Sequence, residues 1–134
     1  MAGAYPCPID ENVMVVEIPF TDVVVMDLRK RAGDTLNEDT HAFAVWGEAV
    51  KDLGPIIFLN ESIRSADWFT DPHLSAIFAH ELGHINLNTA VEQEAERWGV
   101  ELLASKGMRE AARLLLDRGV LDDEACKSLR ETVL

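Results

Sequence analysis

The chain has 134 residues, 48% hydrophobic and 27% charged, which is enough for one domain with a core of its own. Its 24 acidic and 12 basic residues leave a formal net charge of −12, which argues against nucleic acid or an anionic membrane surface as a partner, because both attract a basic face. Cys7 and Cys126 form no CxxC pair and read as free thiols. The first eleven residues lack a signal-peptide pattern, and no apolar run is of membrane-spanning length, so a cytoplasmic protein that does not enter a membrane is expected.

Residues 1–12 contain two prolines and no periodicity, and read as an irregular lead-in. Val13 to Ile18 is rich in β-branched residues and predicts a strand. Pro19 to Asp22 reads as a turn and Val23 to Leu28 as a second strand, so that the two strands could form a hairpin. Arg29 to Glu38 is polar, contains Gly33 and predicts a loop. Asp39 or Thr40 can cap a helix in which Phe43, Trp46, Val50 and Leu53 recur at helical spacing, and Gly54-Pro55 would stop it.

Ile56 to Leu59 predicts a short strand ending at Asn60, followed by a polar connection over 61–70 that holds Trp68 and Phe69. Asp71-Pro72 is a helix start, with Asp as the cap and Pro in the first turn. Asn86 to Thr89 interrupts that helix, and a second one starts near Asn88 or Thr89 and runs to Lys106, with Gly107 as its stop. Met108 to Arg118 reads as another helix closed by Gly119. Asp122 can cap a last one, with Ala125, Leu129 and Val133 on one side. Strand, strand, helix, strand and then helices make an α+β domain and not a doubly wound sheet.

The first of these two adjoining helices carries His80-Glu81-Leu82-Gly83-His84, an HExxH segment. Residues four apart lie one turn apart on one helix face, so both imidazoles can reach a single ion at about 2.0–2.1 Å. Glu81, next to the first ligand, can serve a water on that ion as general base without binding the metal. Such a zinc site needs a third protein ligand and an open fourth position. A histidine six residues after the second is ruled out, since position 90 is Ala90.

With Asn88 as the apex of a tight corner, His84 and Glu92 lie equally far from it, as do His80 and Glu96. Glu92 is then a candidate third ligand, and Glu96 a candidate acceptor for the far nitrogen of His80. Two other readings stay open. Thr89-x-x-Glu92 also fits a capping box, and Glu96 also fits a solvated helix face.

HELGH followed by an acidic ExxxE on the next helix resembles the gluzincin metallopeptidases. The run IIFLN, FAHELGHINLN and EQEAERWGVELL is similar to the ImmA/IrrE-like peptidases of bacteria and phages over about residues 56–104. The resemblance implies a small zincin-like domain with His80, His84 and Glu92 as Zn2+ ligands, Glu81 as general base, and Glu96 where an Asp or Asn usually supports the site. It also implies that Ile56–Asn60 is an edge strand above the cleft, where Ile57, Phe58, Leu59 and Asn60 would pair with a peptide or protein substrate. The competing reading is a catalytically silent zinc-binding interaction module, encoded by a phage or mobile element.

No residue stands out as the donor for a tetrahedral oxyanion. His73, Arg64, Arg97 and Tyr5 are weak candidates, and His41 reads as plain surface. Trp46, Phe78 and Trp98 read as core, whereas Trp68 and Phe69 could form a cleft wall.

Overall fold

The computed structural model describes residues 3–31 and 40–134. Among them are a four-stranded sheet and five α-helices. The strands are β1 (Gly3–Cys7), β2 (Asp10–Ile18), β3 (Ala42–Val45) and β4 (Ile56–Asn60). The helices are α1 (Val23–Arg31), α2 (Asp71–Leu87), α3 (Glu92–Ser105), α4 (Arg109–Leu116) and α5 (Asp123–Thr132). The sheet order is β1-β2-β4-β3, with β2 and β4 parallel and the two outer pairs antiparallel. The α+β expectation holds.

Alternation in β2 places Val13 and Val15 on one face, where they meet Ile57 and Leu59 of β4 and Ile77, Phe78 and Leu82 of α2. The opposite face carries Val16, Ile18, Phe43, Val45, Ile56 and Phe58, and is covered by Phe20 and by Val25 of α1. The second side of α2 packs Ala76 and Ala79 against Val100, Leu103, Ala112, Leu115 and Leu129. Helix α2 therefore lies between the sheet and the helices that follow it, which buries every residue from Ala76 to His84.

Three expectations for the first half are corrected. Residues 3–7 form a strand and not a lead-in, and it is this strand that pairs with β2 in the hairpin. Val23–Leu28 is helical because the Asp22 carboxylate accepts from the amides of Val24 and Val25 at 2.9 and 3.4 Å, while its carbonyl accepts from Met26. Val23 and Val24 stay exposed, and of the three valines only Val25 is buried. The helix expected around Phe43 and Trp46 is the strand β3 and a 3-10 turn, Gly47–Val50. Phe43 stacks on Phe58 at 5.0 Å, so the cross-strand aromatic pair overrides the helical spacing. The proposed cap Asp39 and most of the expected loop lie outside the described residues.

The later elements follow the reading closely. The cap of α2 is Thr70, one residue before Asp71, and α3 begins at Glu92, later than expected. Asp122 caps α5 by accepting from Ala125 at 2.7 Å. Cys7 and Cys126 are free thiols. None of the described helices is long and apolar enough to cross a membrane.

β4 lies inside the sheet, between β2 and β3. The expectation that Ile57, Phe58, Leu59 and Asn60 form a substrate-pairing edge is thus overturned, since both sides of their backbone are already hydrogen-bonded within the sheet. The edge strand next to α2 is β3.

Candidate metal centre

A helix buried on both sides should be apolar, yet α2 carries His80, Glu81 and His84 at 3%, 8% and 7% exposure. Such groups persist only where partners compensate their lost hydration. The partners come from α3, and a close helix crossing delivers them. A Cβ on Gly83 would lie 2.3 Å from the carbonyl oxygen of Ala95, and one on Gly99 would lie 2.9 Å from that of Ala79. Only glycine at these two positions lets the helices approach so closely. Asn88 turns the corner in the left-handed conformation, φ 49°, which asparagine tolerates better than most residues.

The corner brings the expected residues together. The Nε2 of His80 is 2.8 Å from a Glu92 oxygen and 3.1 Å from the Nε2 of His84, which lies 3.2 Å from the other Glu92 oxygen. The Nδ1 of His80 reaches Glu96 Oε1 at 2.8 Å, and Glu96 is fully buried. The Nδ1 of His84 donates to the carbonyl oxygen of Thr89 at 2.8 Å. Glu92 does not act as a capping-box carboxylate. The Thr89 hydroxyl bonds Glu94, and Val91 caps α3 without a side chain.

The two Nδ1 contacts decide what the centre can hold. A carbonyl oxygen only accepts, so Nδ1 of His84 carries the hydrogen, and an ionised Glu96 makes the same demand of His80. Each neutral ring then turns its Nε2 lone pair inward, toward the other and toward a carboxylate. Three electron-rich groups this close repel one another unless a cation lies between them. Ligand atoms on a tetrahedral zinc are about 3.3 Å apart, given bonds of about 2.0–2.1 Å, so the spacing is close to that of a metal-ligand set. The side chains of His80, His84 and Glu92 thus form a site compatible with a metal ion.

Without a metal, protons serve as the cation. Burial opposes a charge on His80, but its bonds to Glu92 and Glu96 and the charge of Glu81 raise its pKa to about 9. His84 is raised in the same way, against burial, by Glu92 and the Thr89 carbonyl. Hydrogen bonds from both histidines hold Glu92 well below the usual carboxylate range. Burial pushes the Glu81 carboxyl up to about 7, although His80 and His84 pull it down.

These groups open onto a cleft of about 480 Å³, bounded on the sheet side by Ala42, Phe43 and Ala44 of β3. Trp46, expected in the core, also lines the cleft. It stacks on the His84 ring at 6.0 Å and donates to Asn88 Oδ1 at 2.6 Å. His41 is exposed, as expected, but it also lines the cleft, and its ring meets Trp68 in a tilted contact at 4.9 Å. The expected cleft wall is not formed by Trp68 and Phe69: Trp68 is exposed, Phe69 packs against the core, and neither lines the cleft.

The weak oxyanion candidates lie elsewhere. Tyr5 and Arg64 both bond Glu17, Arg97 pairs with Glu101, and His73 bonds Thr70. Sequence reasoning missed two cleft arginines, Arg29 and Arg118. Arg29 is buried, donates to Thr40 and lies over the Phe20 ring. No motif marks either residue, because both reach the cleft through tertiary packing alone. Compared with protein-family models, with curated proteins and with solved structures, the chain matches none.

Proposed function

We propose that the chain is a zinc-dependent metallopeptidase with His80, His84 and Glu92 as ligands and Glu81 as general base. The observation that carries this reading is the convergence of two Nε2 atoms and a carboxylate within 3.2 Å, with both Nδ1 atoms committed elsewhere and Glu81 beside them. Two imidazoles and one carboxylate with access to a cleft are the donor set of a catalytic zinc, not of a closed structural one. A zinc ion held there supplies Lewis-acid polarisation and activates water near neutral pH.

Glu81 has the properties of a proton carrier. Its carboxylate lines the cleft beside both imidazoles, where it can accept a proton from a water held there. It accepts a proton as water oxygen bonds the scissile carbonyl carbon. It then gives that proton to the amide nitrogen as the C–N bond breaks, leaving a carboxylic acid and an amine. Glu96 holds the His80 ring in the tautomer that the centre needs. The outer edge of β3 borders the cleft, and an extended substrate strand would pair there.

The test uses metal analysis and one substitution. The purified chain should bind one zinc and cleave peptide bonds in a denatured protein mixture, read by mass spectrometry of new termini. Glu81→Gln should keep the zinc and lose cleavage by at least about a hundredfold. Zinc uptake without cleavage in either form would leave the silent zinc-binding module. No zinc uptake would refute the metal site itself.

A further inference from the structure

We propose that Arg118 is a specificity-determining residue that gives the cleft a preference for substrates carrying a carboxylate close to the cleaved bond. This rests on the peptidase reading and names its substrate class.

A chain of net charge −12 repels acidic peptides, so recognising one requires a local cation. Arg118 is placed to be that cation. It follows α4, its amide bonds the Leu115 carbonyl at 3.3 Å, and Gly119 turns the chain away at φ 78°. The side chain thereby reaches the cleft that His80, Glu81 and Glu92 also line, and stays 40% exposed.

Its guanidinium is under-used. Among the described residues its ion-pair partner is Glu96 Oε1, at 3.9 Å, the outer limit of such a contact. That oxygen already accepts from His80 at 2.8 Å. Glu92 is occupied by both histidines, and Glu81 attracts Arg118 electrostatically without a hydrogen bond between them. A planar fork with five N–H donors is therefore presented to the cleft with one distant contact, and a carboxylate is the group that such a fork fits in a bidentate way. The second cleft arginine is already engaged, with Thr40 and the Phe20 ring.

The alternative is that Arg118 only steadies the carboxyl groups of Glu81 and Glu96 beside it, in which case its loss should weaken zinc binding and leave peptide choice unchanged. The experiment reads both. Zinc-loaded Glu81→Gln protein is immobilised, so that binding is seen without turnover, and equilibrated with a randomised peptide pool. Peptides are quantified by mass spectrometry, with amidated and free C-termini in separate arms. The amidated arm should enrich Glu and Asp over Gln and Asn by roughly tenfold or more, as for a hydrogen bond to a charged group, if the ligand is a side chain. Enrichment confined to free C-termini would identify the terminal carboxylate instead, and either result supports the proposal. Adding Arg118→Gln should abolish the enrichment and leave zinc affinity within about twofold, and Arg118→Lys should restore part of it. No binding, no enrichment, enrichment that survives Arg118→Gln, or a large loss of zinc affinity would overturn it. The unmodified enzyme in the same pool separates the two claims, because absent cleavage counts against the peptidase reading and not against the carboxylate preference.

Discussion

Gly83 fixes how near α3 can come, and Gly83→Ala is therefore the most informative single perturbation. A Cβ there would stand 2.3 Å from the Ala95 carbonyl oxygen and 2.7 Å from its Cα. Carbon and oxygen normally approach to about 3.3 Å, so one helix must retreat by about 1 Å. Both contacts are backbone, so no side-chain rotation relieves them. Glu92 and Glu96 flank Ala95 on the same helix, and their bonds to His80 are 2.8 Å long. A 1 Å retreat takes these bonds past the range of about 3.2 Å for N–H···O. Overpacking costs about 1–3 kcal/mol, and stranding buried partners about 1–3 kcal/mol more. The expected loss of about 2–6 kcal/mol should lower the Tm of the metal-free protein by roughly 6–24 °C. Zinc affinity should fall about 10- to 100-fold as the tautomer-fixing contact is lost. Scanning calorimetry and zinc titration against a competing chelator measure the two effects. Gly3→Ala is the control, since nothing lies within 4 Å of its Cβ. A Gly83→Ala protein with unchanged Tm and unchanged zinc affinity would refute the claim that the close crossing builds the centre.

The metal-free protein should lose stability as pH rises from about 6.5 through about 9, because the folded pKa of His80 is raised and its contribution is complete only below the unfolded value; zinc should remove that loss, which Tm measured against pH with and without metal will show. Cobalt added to metal-free protein should quench tryptophan emission, and Trp46→Phe should remove more of the quenching than Trp98→Phe, because Trp46 stacks on His84. Burial and the neighbouring Glu17 raise the Tyr5 hydroxyl from 10 to about 12, so its contribution is present below pH 10 and lost as pH rises toward 12; Tyr5→Phe should flatten the alkaline limb of the Tm curve.

The second half of the fold was more legible than the first because its signals are local. Pro72, the corner at Asn88, Gly107 and Asp122 each act on their own few residues, and the helix bounds fell within a few residues of them. The symmetric spacing about Asn88 paired His84 with Glu92 and His80 with Glu96 without coordinates, because a tight helical corner leaves little else to decide. In the first half, tertiary contacts outweighed local preference. The three valines after Asp22 lost their strand character to a side-chain cap, and Phe43 and Trp46 lost their helical register to pairing with β4. Placing Ile56–Asn60 at the sheet edge failed for a similar reason, since the order of strands is settled by what β3 pairs with. Trp46, His41 and Arg118 were misread or missed because each reaches the cleft from a distant part of the chain.

The corner also explains why these residue types stand on these helices. His84 lies in the last turn of α2, where the aligned peptide dipoles create a negative field that favours a cation. Glu92 opens α3, where unpaired amides create a positive field that favours an anion. Reversing the two, with a carboxylate ending α2 and histidines opening α3, would set each helix end against its side chain. In the present order the two histidines hold Glu92 ionised and half exposed while Glu96, one turn deeper, is fully buried against His80. The outer carboxylate is free to adjust to an ion, and the inner one is confined to aligning a ring. A short link between the helices is then an advantage, since each added residue would carry Glu92 away from the corner where both fields and both histidines meet.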